Sequence, residues 1–284
     1  EGFQYPFEDM DPEQVVEFYE NGNKKILEIT TNKKQELLDK EILEVKKREM
    51  LDWWAKDHSV IESLRIGFKS ILDTDLYKFS VSYAYFNLYP LAEGTFTFTD
   101  RNREKWSKEQ QIVFDKMFSD ELERVSNLHL TGLEEVWCKK NIPYIPQTYW
   151  EWLSSFRFIP QLVDYEFDED GVFHCEVTTS LYKVTLYEIL VLAAYAEIRN
   201  IVLGIKPDFG KARQLVRDKI ELANQNDMHF SEFGTRRRFS SDMQEMVISE
   251  IKRNSKTCAG TSNVYFAMKY GMKPISTFPH EWVI

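Results

Sequence analysis

The stretch Ser231-Glu232-Phe233-Gly234-Thr235-Arg236-Arg237-Arg238-Phe239-Ser240 sets three consecutive arginines behind a glycine. Guanidinium groups stay charged and grip phosphate through paired hydrogen bonds, so the run suits a phosphate-rich ligand. Taken by itself, a basic triplet is more often a solvated turn. A second stretch, Ala259-Gly260-Thr261-Ser262-Asn263, stands directly before a helical pattern. Free backbone N–H groups at a helix start bind anions, although Ser or Thr there is more often just the cap. A third, Pro274-Ile275-Ser276-Thr277-Phe278-Pro279-His280-Glu281-Trp282, carries a histidine whose pKa near neutrality fits it for phosphoryl or proton transfer. Far upstream, Leu72-Asp73-Thr74-Asp75-Leu76-Tyr77-Lys78 precedes an aromatic-rich helix, where Asp73 and Asp75 read as caps.

The elements that must position these groups follow from periodicity. Residues 94–99 alternate apolar and polar, as a half-buried strand does. Residues 163–167 and 171–177 do the same and read as a hairpin turning through Asp168-Glu169-Asp170. Residues 186–198 are apolar almost all round and predict a buried helix. From Met228 onward, short strands (228–233, 257–260, 273–277) alternate with helices (241–253, 263–270), the pattern of a parallel sheet or barrel. In such folds, sites form where strands end and helices begin, which is where all three C-terminal motifs fall.

Composition narrows the function classes. The chain of 284 residues has a net charge of −10, which opposes non-specific nucleic-acid binding. Much of the acidic excess lies in residues 1–66, a charged stretch whose apolar residues fall at helical spacing. That stretch reads as a helical leader packed on a neighbour. Three widely separated cysteines without a CxxC pair predict reduced thiols, no zinc site and a cytoplasmic setting. The apolar run 189–196 is too short to span a bilayer, so no membrane association is expected.

The order of the motifs is more specific than any one of them. LDTDLYKF, a buried helix opening VTLYEI, then FSEFGTRRRFS, AGTSNVYFAMKYGMKP and ISTFPHEW together resemble the nicotinate phosphoribosyltransferase family from about Lys69 to Trp282. The resemblance implies a mixed α/β N-terminal domain followed by an irregular α/β barrel. The expected organisation is therefore a leader at 1–66, an N-terminal domain at 67–227 and the first barrel strands at 228–284. A barrel of this kind takes ~250 residues, so it is expected to be incomplete in this chain. The implied reaction joins nicotinate to phosphoribosyl pyrophosphate with ATP hydrolysis and Mg2+, giving nicotinate mononucleotide and pyrophosphate. His280 matches the family's phosphorylated histidine, while Tyr77 and Thr277 match positions that contact nicotinate. Arg236 and Arg237 match arginines near the substrate phosphates, and Ser262 and Asn263 fall in the substrate-binding GTSN motif. The resemblance further implies a homodimer with shared sites, in which Tyr77 serves the partner's site; no residue is expected as a metal ligand.

Three features depart from the family pattern. Pro279 stands where alanine is usual, Thr179-Ser180 replaces a usual Gly-Pro turn, and the leader has no counterpart. Two alternative functions stay open: transfer to nicotinamide in place of nicotinate, or a catalytically inactive paralogue acting as an interaction subunit.

Overall fold

A computed structural model describes residues 67–101 and 103–277, together with Lys40 and Glu44, which are helical and exposed. The chain divides into two compact units, Glu1–Asp57 and His58–Ile284; the elements below all belong to the second. The rest of the helical leader expected over residues 1–66 lies outside the described residues, as do Phe278, Pro279 and His280.

Helix α1 (Leu76–Leu88) buries Leu76, Phe79 and Val81 and leads into strand β1 (Glu93–Phe98), whose burial alternates as its sequence does. Helices α2 (Lys108–Ser126) and α3 (Gly132–Asn141) each open with a reciprocal capping box, Ser107 with Gln110 and Thr131 with Glu134. Helix α4 (Gln147–Ser155) buries Tyr149, Trp150 and Leu153. Strands β2 (Val163–Phe167) and β3 (Phe173–Ser180) form the expected hairpin, and β1 pairs with the other edge of β3. The result is an antiparallel sheet in the order β1-β3-β2. Thr179 and Ser180 close the ladder opposite Gly94 and Glu93.

Helix α5 (Leu181–Val202) runs through the centre of this unit, with Ile189, Leu190, Ala193 and Ile198 sealed from solvent. Its Tyr195 joins Phe98, Trp106, Phe114 and Phe173 in one aromatic cluster with ring centroids 4.6–6.2 Å from Tyr195. Such contacts add to the area term that dominates the core.

After helix α6 (Phe209–Gln225) the strand–helix alternation begins. Strand β4 (Phe230–Glu232), helix α7 (Ser241–Asn254), strand β5 (Cys258–Thr261) and helix α8 (Val264–Tyr270) follow in order. Strands β4 and β5 are parallel neighbours. The strand expected over 273–277 contracts to a single parallel bridge between Thr261 and Pro274. Pro274 has no N–H, so the bridge rests on Thr261 N donating to Lys273 O and Ile275 N donating to Thr261 O. Parallel strands joined through helices are the opening of the α/β barrel that the sequence predicts.

Candidate functional site

The ends of β4 and β5 and the Pro274 bridge bring the first two C-terminal motifs and the described part of the third, Pro274 to Thr277, to one edge of the parallel sheet. After β4 the chain turns at Gly234 and makes one turn of 3-10 helix, Thr235–Arg237. A Cβ at Gly234 would sit 2.6 Å from the Glu232 carboxylate, so glycine leaves that side chain its place. That close approach lets Gly234 N donate to Glu232 Oε1 at 2.6 Å. The turn sends the three arginines in different directions. Arg237 is exposed and Arg236 partly exposed, whereas Arg238 is buried.

Arg238 is the centre of a polar core. Its Nη1 donates to Asp73 Oδ1 at 2.8 Å and its Nε to Glu197 Oε1 at 2.7 Å. Gln244 Oε1 accepts from Nη1 at 3.3 Å, and the Phe68 ring lies 5.6 Å from the guanidinium carbon. Burial works to lower the Arg238 pKa, but Asp73 and Glu197 reverse this and hold the guanidinium more firmly charged. Asp73 also accepts from Asn263 Nδ2 at 2.8 Å and from Lys69 N at 3.1 Å. Asp73 is therefore a hub between remote segments, not the helix cap that its position suggested.

Ser262 and Asn263 are both closed to solvent. Asn263 caps α8 by accepting from Phe266 N at 3.0 Å, and its amide also donates to Thr235 Oγ1 at 3.1 Å. Ser262 Oγ donates to Asp75 Oδ1 at 2.6 Å. Asp75 occupies the N-cap position of α1 but its side chain makes no capping bond. Burial raises the Asp75 pKa, outweighing the Ser262 hydroxyl and the charges of Arg236 and Lys78. Glu232 is raised for the same first reason, although Thr261, Gly234 N and Gln244 all donate to it.

Arg236 and Tyr77 come together through two side chains that the motifs did not single out. Arg236 Nη1 donates to Glu188 Oε1 at 3.2 Å, and Lys78 Nζ pairs with the other oxygen of Glu188. The Lys78 ammonium in turn lies 4.8 Å from the centroid of the Tyr77 ring, which is nearly buried. Thr277 is exposed on the segment after Pro274. His280, the predicted phosphoryl acceptor, lies outside the described residues.

Sequence reading grouped Arg238 with its neighbours as a phosphate-suited run, and assigned no role to Glu197, Glu188 or Lys78. Signals were present: Glu188 and Glu197 are the two acids within an otherwise apolar stretch of α5. A carboxylate on a buried helix face requires a cationic or hydrogen-bonding partner.

Over residues 72–195 the chain matches the nicotinate phosphoribosyltransferase (NAPRTase) N-terminal domain, and over residues 228–284 the nicotinate phosphoribosyltransferase (NAPRTase) family. It is 34% identical over 233 residues to a nicotinate phosphoribosyltransferase of Methanosarcina mazei, covering 76% of this chain and 56% of that protein. The fold resembles the crystal structure of nicotinate phosphoribosyltransferase from Porphyromonas gingivalis with a TM-score of 0.72 and 38% identity, over 76% of this chain and 55% of that one. A putative nicotinate phosphoribosyltransferase from Saccharomyces cerevisiae gives a TM-score of 0.69 at 31% identity, over 77% and 56% of the two chains. The chain thus spans just over half the length of these relatives.

Proposed function

The chain belongs to the nicotinate phosphoribosyltransferase family, and from this we propose that the protein joins nicotinate to 5-phosphoribosyl 1-pyrophosphate with hydrolysis of ATP. The products are nicotinate mononucleotide and pyrophosphate, a step of NAD synthesis. The observation that carries this reading is the placement of Arg236 and Arg237 at the open end of β4, backed by the buried ion network of Arg238. Fixed positive charge at that edge would stabilise pyrophosphate as it leaves and the ribose carbon gains oxocarbenium character.

The remaining roles follow the same reading. Tyr77 and Thr277 contact nicotinate, Ser262 and Asn263 hold the backbone of the GTSN turn against substrate, and His280 takes the γ-phosphoryl group of ATP. A ring nitrogen of His280 attacks phosphorus, ADP departs, and water later cleaves the P–N bond to release phosphate. Coupling requires only that the phosphorylated and free enzyme differ in substrate affinity.

Among the described residues no group of three or more His, Cys, Asp or Glu side chains is placed to hold a metal ion. Asp75 and Glu232 are engaged by Ser262 and Thr261. With those carboxylates so engaged, a Mg2+ ion would be carried by the substrate pyrophosphate instead of held by these side chains. When bound, it would neutralise the departing charge.

We assign residues 1–66 as a leader, 67–227 as the N-terminal domain and 228–284 as the first strands of the catalytic barrel. The break between the two family matches supports this division. We further infer a homodimer with shared sites in the cytoplasm. No helix among the described residues is long and apolar enough to cross a membrane.

Incubating the full-length protein with γ-labelled ATP tests the reading. Radiolabel is expected on His280, stable in base and lost in acid, together with nicotinate mononucleotide in the complete reaction. Label that survives acid or the His280→Ala substitution, or turnover of nicotinamide in preference to nicotinate, would overturn it.

A further inference from the structure

Lys78, Glu188 and Arg236 form a line of alternating charge from the core to the rim. The Lys78 side chain is 1% exposed, Glu188 18% and Arg236 41%. Each comes from a different element: α1, α5 and the turn after β4. Glu188 spends one oxygen on each cation, so its position is fixed at both ends.

We propose that Glu188 is a positioning residue that holds Arg236 ready for the phosphates of phosphoribosyl pyrophosphate. This rests on the function proposed above. An arginine side chain left loose in water loses rotamer freedom when it binds, which weakens the complex. Glu188 removes much of that freedom beforehand by gripping Nη1. Among the described residues, Nε and Nη2 of Arg236 donate no hydrogen bond, so a full edge of the guanidinium is left for a bidentate phosphate contact. Lys78 completes the device. Its buried ammonium draws Glu188 toward α1, and so keeps the carboxylate behind Arg236 instead of in front of it. Lys78 itself is too deep to reach a ligand.

Sharing Glu188 between two cations also limits its competition with substrate. A lone carboxylate facing Arg236 would compete with substrate, but one already shared with Lys78 carries less unbalanced charge toward the rim. Arg237, exposed beside it, adds to the positive side.

Steady-state kinetics on the full-length protein test the proposal with Glu188→Gln, Arg236→Ala and the double variant, each checked by its thermal midpoint. Glu188→Gln is expected to raise KM for phosphoribosyl pyrophosphate about fivefold while changing KM for nicotinate less than about twofold. In the Arg236→Ala background the same change is expected to have no further effect on that KM. Additive effects in the double variant, or an unchanged KM in Glu188→Gln when Arg236→Ala raises it, would overturn the positioning role and leave the phosphate role of Arg236 standing. An unchanged KM in folded Arg236→Ala would instead remove that phosphate role, and the present inference with it. If Lys78, once uncovered, prevents Glu188→Gln from folding, Glu188→Asp keeps the charge near Lys78 and withdraws it from Arg236. It should show the same selective rise in KM, and a folded Glu188→Asp protein with an unchanged KM would count against the proposal.

Discussion

Arg238 Nη1 sits 2.8 Å from Asp73 Oδ1, although the two residues are 165 positions apart in sequence, and neither side chain is open to solvent. Its neighbour Arg237, one peptide away, faces water. Two adjacent arginines in one motif thus serve different ends, and substitution should separate them. Arg238→Ala would leave Asp73 and Glu197 as buried carboxylates without their cation, a loss of about 3–5 kcal/mol. Urea unfolding should register that loss. Arg237→Ala should leave the unfolding midpoint in place but raise KM for phosphoribosyl pyrophosphate at least about tenfold, the effect of one charge-assisted bond to phosphate. A normal KM in Arg237→Ala would make this residue a solvated turn.

Asp75 offers a test through pH. Burial, opposed by Ser262, Arg236 and Lys78, leaves its pKa above the ordinary 3.8. A carboxyl that is harder to ionise in the folded state contributes stability below its unfolded pKa. That contribution is lost as pH rises through the folded value. Asp75→Asn keeps an acceptor for Ser262 and does not titrate. The stability of this variant relative to the parent should therefore improve as pH rises above about 4. Unfolding curves at several pH values would measure it, and a constant difference would mean that Asp75 ionises equally in both states.

Gly260 stands at φ +152°, and a Cβ there would lie 2.1 Å from Lys273 O. The atom in the way is backbone, so relief requires moving the segment that bridges Thr261. Gly260→Ala should cost roughly 2–4 kcal/mol, combining strain at a glycine-only conformation with loss of the bridge. Calorimetry of the purified variant would show it. A melting temperature within a degree of the parent's would mean that the Pro274 bridge is dispensable.

Shared sites in a dimer would reveal themselves by complementation. Tyr77→Ala and His280→Ala should each be inactive alone, and mixing them should restore part of the activity through hybrid dimers. Absence of any recovery in subunits shown to exchange would confine the site to one chain.

Local patterns made much of the fold legible. Thr95, Thr97 and their apolar neighbours announce β1, and the turn at 168–170 closes the hairpin as its acidic residues suggest. Asp168 Oδ1 accepts from Val172 N at 2.8 Å there. The capping boxes at Ser107 and Thr131 mark two helices whose boundaries could have been read directly. The motif residues were legible as a group, but their division of labour was not. Nothing local distinguishes Arg237 from Arg238, because what buries one of them is a pair of acids on segments far away in sequence. Asp73 reads as a cap for the same reason: Asn263 and Arg238, its actual partners, come together only in three dimensions.

The segment around Asp75 crosses the start of α8 as a short antiparallel junction. Leu76 N donates to Ser262 O, Val264 N to Thr74 O and Tyr265 N to Leu72 O. On a ribosome the two sides of that junction are made at different times. Ser262 follows Asp75 by 187 positions, so at ordinary elongation rates the earlier strand waits roughly 10 to 40 s for its partner. During that interval Asp73 and Asp75 are in water with their charges intact. Closure of the long loop then withdraws both aspartates from water. Nascent chains arrested before residue 262 should exchange the Leu76 amide freely, and chains released beyond Tyr265 should protect it.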